Sequence, residues 1–255
     1  MKTRNLKQEL KAGRKLLGCW AGLGSAAAVE IVAMAGFDFV VLDWEHGFVD
    51  RSNSLPLVLA ARAHGCGVIV RVPDHRTAEF KFALDMGVDG VIVPMVATVE
   101  EAKAIVSACR YPLAGARGAA PGVIRAADYG AAAKDYVARH AEELLIVLQI
   151  EHVDTIDRIP QIAAVEGVDM LFIGPSDMTA SMGRLGEGTH PDAQREIARA
   201  EAAILKSGKY LSSILLPGRD MAGMWAAGHS LVVPIADANL LGNAARAMVK
   251  NAARP

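Results

Sequence analysis

The chain has 255 residues, 52% of them hydrophobic but only 5% aromatic, and a formal net charge of −1. A chain of this length is one large domain or two small ones, and near-neutral charge with no block of Lys and Arg argues against nucleic acid or an anionic membrane as partner. With so few rings, the interior must be filled by Val, Ile, Leu, Ala and Met, which suits layers of branched side chains inside a closed parallel sheet.

The stretch Met1 to Lys7 carries charge without the apolar core of a secretion signal, and no apolar run reaches the ~18 residues that span a bilayer. Cys19, Cys66 and Cys109 are scattered, odd in number and outside any CxxC, so a reduced cytoplasmic protein is expected.

Asn5 is positioned to cap a short helix, Leu6 to Ala12, closed by Gly13. Short apolar runs then alternate with helical patterns. The runs are Leu16 to Trp20, Phe39 to Asp43, Val68 to Val72, Val91 to Pro94, Leu144 to Ile150, Met170 to Ile173, Tyr210 to Leu216 and Leu231 to Pro234. The intervening helices are expected over Ser25 to Ala35, Leu55 to Ala63, Thr77 to Met86, Val99 to Cys109, Asp154 to Ala164, Asp192 to Ser207 and Asp220 to Ala227, with a last amphipathic helix over Leu240 to Ala252. Such alternation forces parallel strands with right-handed crossovers, and eight of them close a barrel. The expected fold is therefore α/β, a single (β/α)8 TIM barrel over residues 1–255. The competing open, doubly wound sheet normally carries a glycine fingerprint after its first strand; Gly22-Leu23-Gly24-Ser25 lacks the third glycine and the later acidic partner. Two long connections, Ala114 to Gly122 and Thr179 to Pro191, are expected as binding loops at the carboxyl-terminal rim.

Active sites of this fold lie at the carboxyl ends of the strands. There the sequence places Asp43-Trp44-Glu45-His46, Arg71, Gln149 with Glu151, and Ser176 with Asp177. Glu151 and Asp177 end successive buried runs, so they converge and offer hard oxygens suited to a divalent ion with open positions. Taken singly, Glu151 could instead cap a helix and Asp177 pair with a surface arginine. Arg71 either points into the mouth, where its fork of donors suits an oxyanion or carboxylate, or sits in a structural ion pair. His46 is a proton carrier near neutral pH or an ordinary hydrogen-bonded residue. The remaining histidines lack metal spacing, with His152 beside Glu151 the one of interest. No strand run contains a lysine for Schiff-base chemistry, so carbonyl chemistry here would be metal-assisted. Pro234 to Asn239 has no glycine cluster for a phosphate, which favours a carboxylate substrate.

With these residues in view, the chain resembles the metal-dependent class II pyruvate aldolases, which cleave 4-hydroxy-2-oxoheptanedioate and 2-keto-3-deoxy sugar acids. The resemblance runs from Asn5 to the last helix through Gly18-Cys19-Trp20, Ala35 to Asp38, Asp43 to His46, Arg71-Val72-Pro73, Leu84 to Gly87, Gly90 to Val96, Arg117-Gly118, Gln149-Ile150-Glu151 and Ile173 to Asp177. It implies that Glu151 and Asp177 hold Mg²⁺, Mn²⁺ or Co²⁺, that Arg71 steadies the substrate oxyanion, and that His46 works with Asp85 in proton transfer. It further implies that Gln149 lines the site and that backbone amides near Ser176 and Asp177 grip the pyruvate carboxylate; Trp20 and Asp43, in matching segments, are expected to line the substrate too.

The partners implied are a small keto acid and an aldehyde, and the assembly a homo-oligomer, a hexamer built as a trimer of dimers that exchange the last helix. Asp85 ends a helix descending to the opposite face, away from its own chain's site, and the oligomers of the family leave open that a neighbouring subunit supplies it. Trp44, where a small residue is usual, and the Pro234 to Asn239 segment depart from the family pattern and bear on the acceptor. The alternatives are a related enolate enzyme, an oxaloacetate decarboxylase or acyl-CoA lyase, and a non-catalytic barrel module.

Overall fold

The computed structural model describes residues 4–252, so the first three residues of the amino-terminal stretch weighed above lie outside it. Eight strands, β1 (Leu16–Ala21), β2 (Phe39–Asp43), β3 (Gly67–Arg71), β4 (Gly90–Val93), β5 (Leu145–Ile150), β6 (Met170–Ile173), β7 (Tyr210–Ile214) and β8 (His229–Ala236), close into a barrel in sequence order. Every neighbouring pair is parallel, including β1 with β8. Closure rules out the doubly wound alternative. Helix α1 (Leu6–Lys11) precedes the barrel; α2 (Ala26–Met34), α3 (Ser54–Ala63), α4 (Thr77–Asp85) and α5 (Val99–Cys109) follow the first four strands. Then come α6 (Ala133–Glu143), α7 (Ile159–Ala163), α8 (Pro175–Ser181), α9 (Pro191–Lys206), α10 (Met221–Ala226) and α11 (Asp237–Asn251).

Successive side chains on a strand point to opposite faces, and that period of two divides the core. Val40, Leu42, Val68, Val70, Val91, Val93, Ile146 and Leu148 pack outward with the helices. Phe39, Val41, Ile69, Ile92, Leu145, Val147, Met170, Phe172 and Leu231 fill the interior, where Leu6 and Leu10 of α1 join them as a plug at the amino-terminal end. The same alternation carried one step further along β2, β3 and β5 delivers Asp43, Arg71 and Gln149 to the interior at the opposite end. The site is thus the last layer of the barrel.

The amino-terminal ends are braced by a repeated device. Asp38, Asp89 and Asp169, each just before an even-numbered strand, accept the backbone N–H of Leu17 (2.9 Å), Val68 (2.7 Å) and Ile146 (2.9 Å) on the preceding strand. A glycine two residues earlier, at φ +98° for Gly36, +79° for Gly87 and +101° for Gly167, turns the chain towards each strand in a region side chains rarely adopt.

Three expectations need correction. The Ala114 to Gly122 stretch lies at the amino-terminal face, because α5 has already carried the chain back down: Ala116 N–H donates to Ser107 (2.8 Å) and Arg117 N–H to Arg110 (2.8 Å) at the end of that helix. It leads into a 3-10 segment, Arg125–Gly130, and α6, neither of which was expected. Pro234 to Asn239, which falls between the expected eighth strand and the expected last helix, completes β8 and begins α11. The first part of Thr179 to Pro191 belongs to α8, and the rest joins α8 to α9.

Candidate active site

A cavity of about 470 Å³ opens at the carboxyl-terminal end of the barrel, and Trp20, Asp43, His46, Arg71, Gln149, Glu151, Ser176 and Asp177 all line it. Strands β2 to β6 lie between the first of these and the last in the chain, yet strand polarity places them together. Asp85 is the exception. It ends α4 at the opposite face, where it accepts from Arg117 Nη2 at 2.7 Å.

Arg71 satisfies both readings offered for it, since it stands at the mouth and within an ion-pair network. Asp43 is its in-register neighbour on β2. Arg71 Nε and Nη2 donate to the two Asp43 oxygens at 2.9 and 2.7 Å, and Nη1 lies 3.1 Å from Glu45. Its guanidinium carbon sits 4.3 Å from the centre of the Trp20 ring, a cation–π contact that braces the plane from another side. Asp43 Oδ1 also accepts the backbone N–H groups of Glu45 and His46 (both 3.2 Å), so one carboxylate holds both the guanidinium and the turn bearing the imidazole. His46 Nε2 lies 3.8 Å from Glu45 and its side chain is 66% exposed at the mouth.

Glu151 does not cap a helix. Its Oε1 accepts the Met95 N–H at 2.5 Å and its Oε2 the Gln149 side-chain amide at 2.7 Å. Gly174 makes room for it: a Cβ there would lie 2.5 Å from Glu151 Oε2. Burial pushes the Glu151 carboxyl above its ordinary range, against the Met95 N–H, and the charges of Asp177 and Glu45 push it the same way. Glu45 is likewise raised, first by burial, against the pull of Arg71 and His46. Asp177, in the first turn of α8, lines the same cavity and makes no ion pair among the described residues.

These observations fit a divalent cation. Carboxylates that raise one another's proton affinity are a cluster short of positive charge. Gln149 Oε1, on a residue lining the same cavity, is buried and accepts no hydrogen bond. Among the described residues, no three acidic, histidine or cysteine side chains surround one point. Glu151 and Asp177 are the two acids whose oxygens a cation with open positions, of the Mg²⁺ and Mn²⁺ kind, would fit here.

The sequence reading assigns no role to Glu45, the Met95 amide or Asp237. Asp237 is 5% exposed and accepts from Gly22 N–H (3.0 Å), Leu23 N–H (3.1 Å) and Ala238 N–H (2.7 Å), tying the loop after β1 to the end of β8. Its sign in the sequence is an acid directly after a strand. Trp44 turns away from the cavity: it packs against Phe82 and donates from Nε1 to Ser54 Oγ at 2.8 Å, so this departure from the family pattern does not touch the mouth. His152 Nδ1 accepts the Asp154 N–H at 3.2 Å, a local cap. The three cysteines are free and buried, their thiols pushed up to about 12 chiefly by burial, and take no part.

A closed parallel barrel whose mouth joins paired acids to a braced guanidinium is a lyase-type scaffold for carbonyl chemistry. Residues 16–240 match the HpcH/HpaI aldolase/citrate lyase family, and the chain belongs to it. It is 38% identical over 229 residues to a hydroxypyruvate/pyruvate aldolase of Chromohalobacter salexigens, covering 89% of each chain. It is 38% identical over 191 residues to a 5-keto-4-deoxy-D-glucarate aldolase of Shigella boydii, 75% of this chain and 74% of that one. The crystal structure of an HpcH/HpaI aldolase/citrate lyase family protein from Burkholderia cenocepacia superposes with a TM-score of 0.89 at 33% identity, covering 97% of this chain and 98% of the other.

Proposed function

We propose that the protein is a divalent-metal-dependent aldolase that reversibly cleaves a 4-hydroxy-2-keto acid to pyruvate and an aldehyde. The observation that carries this reading is one cavity shared by Glu151, Asp177 and the thrice-braced Arg71. Glu151 and Asp177 would hold Mg²⁺, Mn²⁺ or Co²⁺, which when bound would supply Lewis acidity towards the keto acid.

The chain's own residues do the rest. Arg71 keeps a fixed positive charge beside the oxygen that becomes the enolate when the C3–C4 bond breaks. Its fork is already oriented by Asp43, so little reorganisation is needed as that charge develops. His46 takes the proton of the C4 hydroxyl in cleavage and returns it in addition. The amides of Ser176 and Asp177, at the start of α8, receive the carboxylate of pyruvate, and the Gln149 and Trp20 side chains close the floor and wall.

Asp85 enters this reading from a neighbouring subunit. Helix α11 supports an exchanged arrangement, because Leu241, Met248 and Val249 are 64, 72 and 59% exposed along an amphipathic helix with only Asp237 buried. A trimer of such dimers would bring the Asp85 of one chain to the His46 of another. Activity assayed as pyruvate release, abolished by EDTA and restored by Mn²⁺, tests the function; full turnover in excess chelator would refute the metal's part in it.

A further inference from the structure

The peptide group that joins Pro94 to Met95 is held on both sides. Its carbonyl accepts from His75 Nε2 at 2.7 Å, and its N–H donates to Glu151 Oε1 at 2.5 Å. Resting on the metal-dependent reading, we propose that His75 is a positioning residue for the cation, acting through this one peptide group to hold Glu151 in the orientation that binds the metal.

Three observations support this. The first is the hydrogen-bonded chain itself. A carbonyl oxygen only accepts, so the bond assigns a proton to His75 Nε2. Donation into a carbonyl polarises the peptide group and strengthens the N–H on its far side, so imidazole and carboxylate are coupled without touching. The fold brings them into reach because β3 and β4 are neighbours, and His75 lies where the chain leaves β3 for α4.

The second is the Met95 backbone. Its φ of +52° lies in the left-handed region that a residue with a side chain rarely occupies. Such a conformation persists only where its surroundings over-determine it. Here the turn after β4 is fastened at both ends. Beyond the His75 bond, Glu101 Oε2 accepts the N–H groups of Ala97 (2.8 Å) and Thr98 (2.9 Å), and Arg158 Nη1 donates to Ala97 O at 3.2 Å. Of these fastenings, the His75 bond is the one made to the peptide group that serves Glu151.

The third is the setting of Glu151. The residue is buried, and each oxygen receives one donor, from Met95 N–H and from Gln149 Nε2. An ionised carboxylate has about four acceptor sites, so both oxygens keep capacity for a cation. Gln149 belongs to the strand that Glu151 follows, whereas Met95 belongs to the end of the neighbouring strand. The Met95 amide is therefore the bond that ties the carboxylate to a second strand, and His75 orients that amide.

The test measures the Mn²⁺ dissociation constant of the full-length protein by EPR of the free ion, alongside the melting temperature of the metal-free protein. His75→Phe keeps a ring and removes the donor, and should weaken Mn²⁺ binding by about tenfold. His75→Gln places an amide nitrogen the same number of bonds from the backbone as Nε2, and should bind Mn²⁺ as the wild type does. In exchange of pyruvate methyl protons, the defect of His75→Phe should lie in the Mn²⁺ concentration needed for half-maximal rate, with the rate at saturating Mn²⁺ kept. If His75→Phe fails to fold, His75→Asn, whose amide stops one bond short, takes its place with the same loss expected. A donorless or shortened variant that binds Mn²⁺ as tightly as the wild type overturns the inference. So does a His75→Gln protein weakened as much as His75→Phe, because packing and not the donor would then be the cause. A wild type that binds no Mn²⁺ would instead remove the metal reading, and this inference with it.

Discussion

Asp43 and Arg71 stand directly opposite one another on β2 and β3, and both oxygens of the carboxylate meet the guanidinium fork, at 2.9 and 2.7 Å. The pair is the structural centre of the mouth because the same Asp43 also holds the turn that carries His46. A buried pair of this kind is weak evidence for stability but strong evidence for orientation.

Arg71→Ala should lower both cleavage and the exchange of pyruvate methyl protons by ~10²–10³. Arg71→Lys should recover little, because a single ammonium cannot meet both Asp43 oxygens and also reach Glu45. Proton exchange followed by NMR checks this; unchanged exchange in Arg71→Ala would place the guanidinium away from the reacting carbon.

Mn²⁺ should raise the melting temperature of the wild type by about 5 °C at a hundredfold excess over its Kd. Glu151→Gln should abolish the gain, and its metal-free form should melt no lower than the metal-free wild type at pH 8. The sign follows from the raised Glu151 carboxyl: the folded state holds that proton more tightly than the unfolded one, so ionisation above the usual carboxylate range costs stability, and the amide removes the cost. Differential scanning fluorimetry with and without EDTA decides it.

His140 and His229 are buried, and burial lowers the pKa of each, outweighing Glu201 beside His229. The stability they contribute is present above the unfolded histidine value near ~6.5 and is lost as pH falls below it, by at most about 1.4 kcal/mol per pH unit for each. A His140→Gln, His229→Gln double variant should therefore lose less stability between pH 7 and 5 than the wild type in urea titrations. Parallel losses would contradict the assignment.

Asp85→Asn and Glu151→Gln should each be inactive alone. If Asp85 serves a neighbour's site, mixing the two and allowing subunits to exchange should restore up to about a quarter of activity on a random-pairing expectation. Removal of residues 240–255 should break the assembly, read by sizing with light scattering. Mixtures that stay inactive despite exchange would confine Asp85 to its bond with Arg117.

Gly18→Ala should destabilise by about 1–3 kcal/mol without touching the mouth, because the added carbon would fall 2.2 Å from the buried Phe39 ring inside the barrel. Urea unfolding measures it; a neutral effect would mean that Phe39 can move aside.

Much of this was legible in one dimension. All eight strands were visible as short apolar runs, because strands covered on both faces cannot alternate with polar residues. The site was legible for the same reason: a polar residue ending such a run, as with Asp43, Arg71 or Gln149, has to lie at a strand end. Helix α6 was missed because only His140 on it is buried, so its pattern is mostly solvent-facing, and the Ala114 to Gly122 stretch was put at the wrong end because its glycines mark a turn without saying which face the turn serves.

By itself the chain determined the order of strands and helices, their shared polarity, and hence the set of polar residues at one rim, since these depend on local pattern and on the single hand of the crossover. Only the tertiary structure decided how that set is wired: that Asp43 and Glu45 share Arg71, that a backbone amide from β4's end and a side chain from β5 fix Glu151, and that Asp237 fastens the loop after β1. Apart from the Gln149 contact, two residues from its partner, those bonds join residues tens to hundreds of positions apart, and which of several acids meets a given donor is set by barrel closure and side-chain packing, which no local pattern encodes.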